Sequence, residues 1–480
     1  MPYTFLTLDG TVFVERTDKS LTTNGGFAAF ASFLNRSKII DQLVATCPIE
    51  RTSNNALPIR DVIVSFLLTC IVEGRRFRHV RFIQNDAVIA KLFKLERRVC
   101  SDDTIRRFFA AIDNEAGKQW IDGAFAILFD ALPSMFIIDW DSTVTTRYGA
   151  QEGVEVGYNP VKPGRGSHHP LVATVAGLRM CLTLSLRPGD SHSADGMTDA
   201  MDDLLRRLPV QRRPFLCRAD IGFSGEPTLM WFEHGEGKPY YLFKLRKTAR
   251  VKEAVRTVTD EQWEGAATFG AMQVTEVQLQ LTGWAKSRRI ILGRRLVNKQ
   301  SPEESGTLFG VCSYEYSAFV TNLSAGQFAA WQIVELYQGR ADCENVFDEL
   351  KNQWGLSGFC AQQQQVTELA ARFCVLSYNI WSLFARFFGG KHHKEAQTSR
   401  REILIFPAQL TESGRERTLQ ISVADQFWDV LHEGYERLMK WLKATAPQLT
   451  RSCALIDWIK AIDVAIYPDP LANSTTNCGI

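Results

Sequence analysis

Residues 337–351 read YQGRADCENVFDELK. An aromatic residue, two cations and one carboxylate stand out in this stretch: Tyr337, Arg340, Lys351 and Glu344. Because an α-helix turns by about 100° per residue, a helix here would place all four side chains within an arc of about 60°. Such a stripe differs from the apolar face that packs against a core. It favours either a solvated face or a surface that holds phosphates beside a metal ion.

The whole chain has the composition of a soluble globular protein. It has 480 residues, of which 45% are hydrophobic and 22% charged, and this length indicates roughly two to four domains. The start, MPYTFLTLDG, lacks the basic and apolar segments of a signal peptide, and no apolar run reaches membrane-spanning length. The eleven cysteines form no CxxC pair, so we expect reduced thiols in a cytoplasmic protein.

Positive charge is concentrated in short clusters. The net charge of +2 does not by itself indicate a nucleic-acid-binding protein. A binding surface would have to be local, although a single basic cluster is more often a solvated face. Four clusters are candidates: RRFRHVR at 75–81, RRLPVQRR at 206–213, KLRKTAR at 244–250 and RRIILGRR at 288–295.

Hydrophobic periodicity changes several times along the chain. It is helical at first, then β-rich around FIIDWD at 136–141 and in a hairpin at 168–189. A second β-rich stretch precedes a long helix, which we expect to begin at Ser324 and to end near Gly355. The pattern predicts an α/β core in two parts, with an inserted β-rich domain, a preceding helical domain and a C-terminal region. In chain order the segments are 1–130, 131–238, 239–323, 324–390 and 391–480.

Three acidic residues stand at ends of predicted elements. Asp139 and Asp141 are two residues apart on one strand, so both side chains project from the same face. One could be a turn residue and the other an exposed charge, but an unpaired carboxylate within this apolar run would be costly. Asp220 ends the strand PFLCRAD, where it could cap a helix. Sheet enzymes also place chemistry at such strand ends.

Several motifs resemble those of bacterial insertion-sequence transposases of the DDE type. The stretch at 337–351 reproduces the Y-x2-R-x3-E-x6-K signature of the insertion-sequence-four superfamily. DSTVTTRYGAQEGVEVGYNPVKPGRGSHHP, at 141–170, is similar to the region around the first catalytic Asp in the insertion-sequence thirteen-eighty group. RADIGFSGE, at 218–226, resembles the second catalytic segment, and GRERTLQI, at 414–421, fits that group's usual ending. The resemblance covers roughly residues 130–440.

The resemblance implies a ribonuclease-H-like catalytic domain that contains a metal site, with the preceding helical domain as a DNA-binding or dimerisation domain. Asp141, Asp220 and Glu344 would be the catalytic residues and the ligands of two Mg²⁺ ions, for which Mn²⁺ can substitute; hard oxygen donors fit both metals. Asp139 is the alternative candidate for the first metal ligand. We prefer Asp141 because Ser and Thr follow it, as in the family. The pair His168–His169 lacks a second pair with zinc-ligand spacing.

The resemblance also implies double-stranded DNA as the partner, in the form of terminal inverted repeats and target DNA, and a homodimer that holds two ends. Several candidate DNA contacts have an alternative interpretation: Tyr337 and Trp284 as packing residues, the loop that carries Lys162 and Arg165 as a solvent loop. A capped helix beginning at Ser101 or Asp102 resembles a recognition helix, although a surface helix is the commoner explanation. The candidates are Tyr337, Arg340, Lys351, Lys162, Arg165, Trp284, Arg106 and Arg107.

Together these features predict a cut-and-paste DNA transposase in the bacterial cytoplasm, associated with the nucleoid when bound to DNA. It would bind the terminal repeats, cleave at the element ends and join 3′-hydroxyls to target DNA by two-metal chemistry. Two alternatives stay open. One is another ribonuclease-H-like nuclease or recombinase that cuts without joining. The other is a decayed copy that only binds DNA.

Overall fold

The chain divides into two units by its internal contacts. The computed structural model describes residues 3–51, 55–126, 129, 132–265, 271–300, 311–389 and 393–445, as backbone only for 298–300, 311 and 312. The first unit combines the described parts of Met1–Ala111 and Ile380–Ile480, and the second is Ile112–Asn379. The N-terminal and C-terminal segments thus belong to one unit, whereas the five segments predicted from sequence pattern stay predictions.

Both units mix helices and strands. The helices are α1 Phe27–Ser37, α2 Ile39–Ala45, α3 Ile59–Ile71, α4 Ala87–Leu92, α5 Asp102–Ala110, α6 Asn114–Ala126, α7 Met197–Arg207, α8 Glu226–Glu233, α9 Ala249–Thr257, α10 Ala330–Gln338, α11 Ala341–Gln353, α12 Gln364–Gly389, α13 Ala396–Ile403 and α14 Asp425–Ala444. The strands are β1 Tyr3–Thr7, β2 Gly10–Val14, β3 Leu21–Thr22, β4 Met135–Ser142, β5 Thr145–Thr146, β6 Glu155–Val156, β7 Gly166–His168, β8 Leu171–Val175, β9 Met180–Ser185, β10 Arg213–Ala219, β11 Tyr240–Lys244, β12 Met272–Leu279, β13 Arg288–Gln300, β14 Val311–Thr321, β15 Ala408–Ser413 and β16 Glu416–Ile421. Among the described residues, no helix is both long and apolar enough to span a membrane.

Aromatic side chains form much of the core of the first unit. Phe30 of α1 packs against Trp381 and Phe384 of α12, with ring centroids 5.8 and 5.1 Å apart. Helix α3 is buried from Asp61 to Ile71, as expected of a central helix that is apolar on all sides. Strands β15 and β16 form a hairpin, and β15 also pairs with β3.

An eight-stranded mixed sheet is the centre of the second unit, in the order β12-β13-β14-β11-β10-β4-β8-β9. Strand β4 pairs in antiparallel fashion with β8, which pairs with β9, so the predicted hairpin is confirmed. On its other side β4 is parallel to β10, and β10 is parallel to β11. The ends of β4 and β10 therefore meet at one edge of the sheet.

The strands predicted as an inserted β-rich domain extend this sheet. Strand β11, at the start of the 239–323 segment, pairs with both β10 and β14, and β13 and β12 follow outward. Leu216 of β10, Leu242 of β11 and Phe319 of β14 share a hydrophobic core with Ile333 of α10. The edge of β11 offers hydrogen-bonding groups, which β14 satisfies.

The long helix expected over 324–355 is two helices. The first, α10, begins only at Ala330, and a corner at Gly339 and Arg340 separates it from α11. A Cβ on residue 339 would lie 2.9 Å from the Nη1 of Arg218, so glycine permits a close approach there. The four side chains of the 337–351 motif are therefore not carried by one continuous helix: Tyr337 lies before the corner, and Glu344 and Lys351 lie after it.

Candidate active site

Parallel pairing places two aspartates beside each other. Ala219 at the end of β10 is paired with Trp140 of β4, so Asp220 follows directly beside Asp141. Both carboxylates lie at the edge where neighbouring parallel strands end, the usual position of a site in an α/β sheet. The two groups are close enough for Asp220 to influence the titration of Asp141. The structure thus brings together the first two predicted ligands.

Asp141 is largely buried, with 17% of its side chain exposed. Its Oδ1 accepts a hydrogen bond from the backbone N–H of Ser142 at 2.7 Å. The Nη2 of Arg340 lies 2.7 Å from the other oxygen, Oδ2. Burial raises the pKa of Asp141; the guanidinium opposes this shift, and the nearby Asp220 carboxylate adds to it. The ionised form of Asp141 therefore needs a nearby cation, which Arg340 provides.

Asp220 has a local structural role as well. It precedes the short 3₁₀-helix Ile221–Phe223 and accepts a hydrogen bond from the backbone N–H of Gly222 at 2.9 Å. The capping role considered from sequence is therefore present. The cap uses Oδ1 of Asp220 as the acceptor of one hydrogen bond. Because each carboxylate oxygen can accept more than one bond, this role leaves Asp220 able to bind another group.

Asp139 is held in a buried ion pair. Its two oxygens accept from the Nε and Nη2 of Arg218 at 2.6 and 2.7 Å. Only 1% of the Asp139 side chain is exposed. Burial raises its pKa, whereas the hydrogen bonds from Arg218 lower it. This geometry favours Asp141 over Asp139 as a group that could face a substrate or a metal.

Glu344, the third predicted ligand, is separated from Asp141 by the guanidinium of Arg340. Its side chain is 74% exposed, and its Oε1 is 3.8 Å from the Nη1 of Arg340. The same guanidinium pairs with Asp141, so Arg340 bridges the two carboxylates. Within the described residues, no group of three or more His, Cys, Asp or Glu side chains is close enough to hold a metal ion.

The two other residues of the 337–351 motif differ in their surroundings. Tyr337 is half-buried against Phe319, with ring centroids 4.7 Å apart, and burial raises its pKa to about 12. This is the packing interpretation considered from sequence. Lys351 is half-buried too; burial lowers its pKa, and the carboxylates of Asp348 and Asp141 raise it. Lys351 therefore lies within electrostatic reach of Asp141.

In the loop predicted to contact DNA, the cationic side chains are exposed, whereas the two histidines are buried. Lys162 and Arg165 both lie over the ring of Tyr148, at 4.9 and 5.9 Å from its centroid, and Tyr148 is 70% exposed. His168 is buried, and its Nδ1 accepts from the Nε of Arg147 at 3.0 Å. His169 is buried as well, with Nδ1 2.8 Å from a backbone oxygen. Two cations and an aromatic ring thus face solvent together.

Trp284 packs inside the protein. It is 8% exposed, and the guanidinium of Arg288 lies 4.9 Å from its ring centroid. Arg288 is held by Glu226 and Glu233 at 2.6 and 2.8 Å. The ring is therefore buried beside an ion-paired arginine, a geometry that favours the packing alternative.

The sequence did not single out a large cleft in the second unit. It has a volume of about 1230 Å³ and reaches from Ile221, the neighbour of Asp220, past Tyr337. Positive and aromatic side chains dominate its lining, which includes Lys244, Arg246, Lys247, Lys252, Arg256, Arg295, Tyr314 and Tyr316. The Nε of Arg295 and the Oγ of Ser317 are buried there without a hydrogen-bond partner among the described residues. The basic clusters were the signal that could have found this cleft.

Helix α5 of the first unit has the predicted cap. Ser101 accepts a hydrogen bond from the backbone N–H of Thr104 at 3.2 Å. Arg106 is paired with the carboxylates of Asp103 and Asp102. Arg107 instead lines a cavity of about 400 Å³ together with three more arginines, Arg51, Arg97 and Arg98. No acidic side chain is among the described residues that line this cavity. The two predicted arginines therefore have different surroundings.

Comparison with known proteins gives one family. The family model described as Transposase DDE domain group 1 matches residues 7–443. No curated protein matches the chain. Among solved structures, the chain is similar to one described as the cryo-EM structure of the piggyBac transposase synaptic complex with hairpin DNA, with 11% identity and a TM-score of 0.41 over 96% of this chain and 93% of that chain.

Proposed function

The chain belongs to the DDE transposase domain family, group 1, and we propose that it is a cut-and-paste DNA transposase. It binds terminal inverted repeats of double-stranded DNA, cleaves at the element ends and joins 3′-hydroxyls to target DNA. One observation carries the proposal. Asp141 and Asp220 lie side by side at the ends of β4 and β10, with the cations of Arg340 and Lys351 around Asp141.

The proposed metal ligands are Asp141, Asp220 and Glu344. Two adjacent carboxylates form a site that requires a cation, and their hard oxygen donors suit Mg²⁺ or Mn²⁺. In the structure the guanidinium of Arg340 supplies positive charge to Asp141. Glu344 lies on the other side of this guanidinium, on an exposed helix start, so a side-chain movement of Arg340 would open the space between them. When bound, two such ions would activate the attacking oxygen and stabilise the leaving oxygen.

The residues around the carboxylates are suited to hold a phosphodiester. Arg340 presents a planar fork of donors that matches phosphate oxygens. Lys351 is a half-buried ammonium in electrostatic reach of Asp141, and a phosphate placed there would gain from reduced screening. Tyr337 supports this arrangement from the core, through its packing on Phe319. These groups position the DNA backbone and carry no sequence information.

The large cleft of the second unit is the proposed path of DNA next to the catalytic edge. Its cations outnumber the single carboxylate of Glu315, so it attracts the phosphate backbone. Lys162 and Arg165 add an exposed clamp near Tyr148. The core that carries these surfaces, with carboxylates at the ends of two central strands, supports the ribonuclease-H-like fold implied by the sequence.

End recognition is assigned to the N-terminal part of the chain, where the capped helix α5 would reach base edges. The four-arginine cavity beside α5, whose lining includes Arg107, offers a site for the phosphates that would position this helix on the DNA. Arg106 is already neutralised by two aspartates, so its contribution is the smaller. Two ends must be held together before joining, and the active species is therefore proposed to be a homodimer.

A joining assay tests the proposal. The protein is incubated with Mn²⁺ or Mg²⁺, a plasmid target and DNA carrying the inverted repeats that flank the gene, and products are sequenced. End-specific insertions are expected, each joined through the 3′ strand of the repeat. Cutting without insertion would instead identify a nuclease, and binding without cutting would identify a DNA-binding protein that has lost its chemistry.

A further inference from the structure

The buried side chain of Arg218 connects its own strand with two other elements that carry the candidate site. It lies on β10, and only 3% of the side chain is exposed. Nε and Nη2 donate to the two oxygens of Asp139 on β4, at 2.6 and 2.7 Å. Nη1 donates to the backbone carbonyl of Leu336 in the last turn of α10. One guanidinium thus joins two strands and a helix end.

Each contact lies a few residues from a proposed catalytic group. Asp139 precedes Asp141 by two residues, and Arg218 itself precedes Asp220 by two. Leu336 lies four residues before Arg340, at the corner that sets the start of the Glu344 helix. The absence of a side chain at Gly339 lets Nη1 reach this corner. The guanidinium is planar and its donors have fixed directions, so the three contacts constrain distance and angle together.

We propose that Arg218 is a positioning residue of the active site, which holds Asp141, Asp220 and the α10–α11 corner at a fixed spacing. It acts through Asp139 and Leu336 and does not touch the DNA. A buried ion pair often adds little stability compared with apolar side chains of similar volume, so a role in geometry accounts for its three contacts better than stability does. The inference rests on the proposed function.

The test compares Arg218→Lys with Arg372→Lys in the full chain. Lysine keeps the charge, but a single ammonium cannot reproduce the fork that spans Asp139 and Leu336. Arg372 is the matched control because it is buried in the same unit and pairs with Asp122 and Glu368 at 3.1 and 2.8 Å. At a temperature where both variants are folded, Arg218→Lys should lower the kcat of end cleavage roughly 10–100-fold. The KM for end DNA should stay within about threefold, since binding contacts remain.

A second readout does not require activity. In metal-free protein, the backbone amides of Arg340 and Cys343 should exchange with solvent faster in Arg218→Lys than in wild type, because the corner loses its anchor. Arg372→Lys should leave both unchanged. If wild type cleaves no DNA, the proposed function fails, and the exchange rates still decide the role of Arg218.

Two results would overturn the inference: equal losses of kcat in the two variants, or unchanged exchange at Arg340 and Cys343. Should Arg218→Lys not fold, the double variant Asp139→Leu, Arg218→Met replaces the ion pair with apolar side chains. The same measurements then apply to it. Normal kcat and normal exchange in that folded double variant would likewise contradict a positioning role.

Discussion

At the scale of single residues, the two aspartates of β4 differ in what occupies their oxygens. Asp139 accepts two short hydrogen bonds from Arg218 and is almost fully buried. Asp141 is partly open and lies beside Asp220, with Arg340 as its cation. Burial raises the pKa of both carboxyls. A carboxylate can bind a metal ion only if its oxygens can give up their present cation. Asp141 would have to release Arg340, whereas Asp139 would have to break its buried ion pair with Arg218.

Arg340→Ala should make stability depend on metal. The substitution removes the cation from Asp141 and leaves that carboxylate facing Asp220, so the free energy of unfolding should fall by about 3 kcal/mol in a chelating buffer. Added Mg²⁺ should restore part of this loss by replacing the missing charge. Thermal unfolding with and without Mg²⁺ measures both effects. Equal stability of the variant and the wild type in chelator would show that Arg340 does not neutralise this site.

Lys351→Ala should weaken binding to DNA ends through loss of one phosphate contact. The slope of log K against log salt should fall by about one, for DNA of any sequence. Lys91→Ala is the control, since the Nζ of Lys91 is paired with Glu412 at 3.2 Å. Fluorescence titrations at several salt concentrations give the slopes. If the two variants have the same slope as wild type, Lys351 belongs to a solvated face.

At the scale of elements, the sequence predicted several structures because their signals are local. Alternation around Asp141 marked β4, and the apolar run before Asp220 marked β10. The sequence did not indicate the corner at Gly339, where Arg218 from a distant segment approaches closely. The backbone angles of Gly339 are near-helical (φ −61°, ψ −5°), so the residues themselves give little sign of a break.

Gly339→Ala should impair cleavage more than stability. Alanine normally favours a helical backbone by about 0.5–1 kcal/mol over glycine. Its Cβ, however, would lie 2.9 Å from the Nη1 of Arg218, so the guanidinium must shift and the corner loses its anchor. The kcat of end cleavage should therefore fall roughly tenfold or more.

Gly123→Ala is the matched control for this substitution. Gly123 lies within α6 of the same unit, and an added Cβ would meet nothing within 4 Å. It should raise the free energy of unfolding by about 0.5–1 kcal/mol and leave cleavage unchanged. Full cleavage by Gly339→Ala, measured beside this control, would contradict a role for the corner in catalysis.

At the scale of the whole molecule, the arginines and lysines of two basic clusters in the sequence, 244–250 and 288–295, have two kinds of surroundings: buried ion pairs and the lining of the large cleft. Arg288, Arg289 and Arg294 of the 288–295 cluster are buried in ion pairs with acidic residues from distant segments. Arg295 and most of the 244–250 cluster line the large cleft. The sequence could not separate them, since the ion-pair partners come together only in the folded chain. Charge that is already paired inside the protein adds little to DNA binding.

The first unit offers a direct comparison of two neighbouring arginines. Arg107→Ala should weaken binding to the terminal repeat and lower the salt slope by about one, because the side chain lines the four-arginine cavity. Arg106→Ala should change the slope less, since two aspartates already pair with it. Both are measured in the full chain. A larger effect from Arg106→Ala would instead show that the exposed surface of helix α5, and not the four-arginine cavity, contacts the DNA.

The central claim is that Asp141, Asp220 and Glu344 carry out metal-dependent cleavage at DNA ends. The most direct measurement is single-turnover cleavage of labelled terminal-repeat DNA by wild type and by Asp141→Asn, with end binding measured in parallel. Asparagine lacks the carboxylate charge that would hold the metal ions at the reacting phosphate. The cleavage rate should therefore fall about 1000-fold or more, whereas the affinity for end DNA should stay within a few-fold of wild type. Cleavage by Asp141→Asn at a rate within tenfold of wild type would contradict the account.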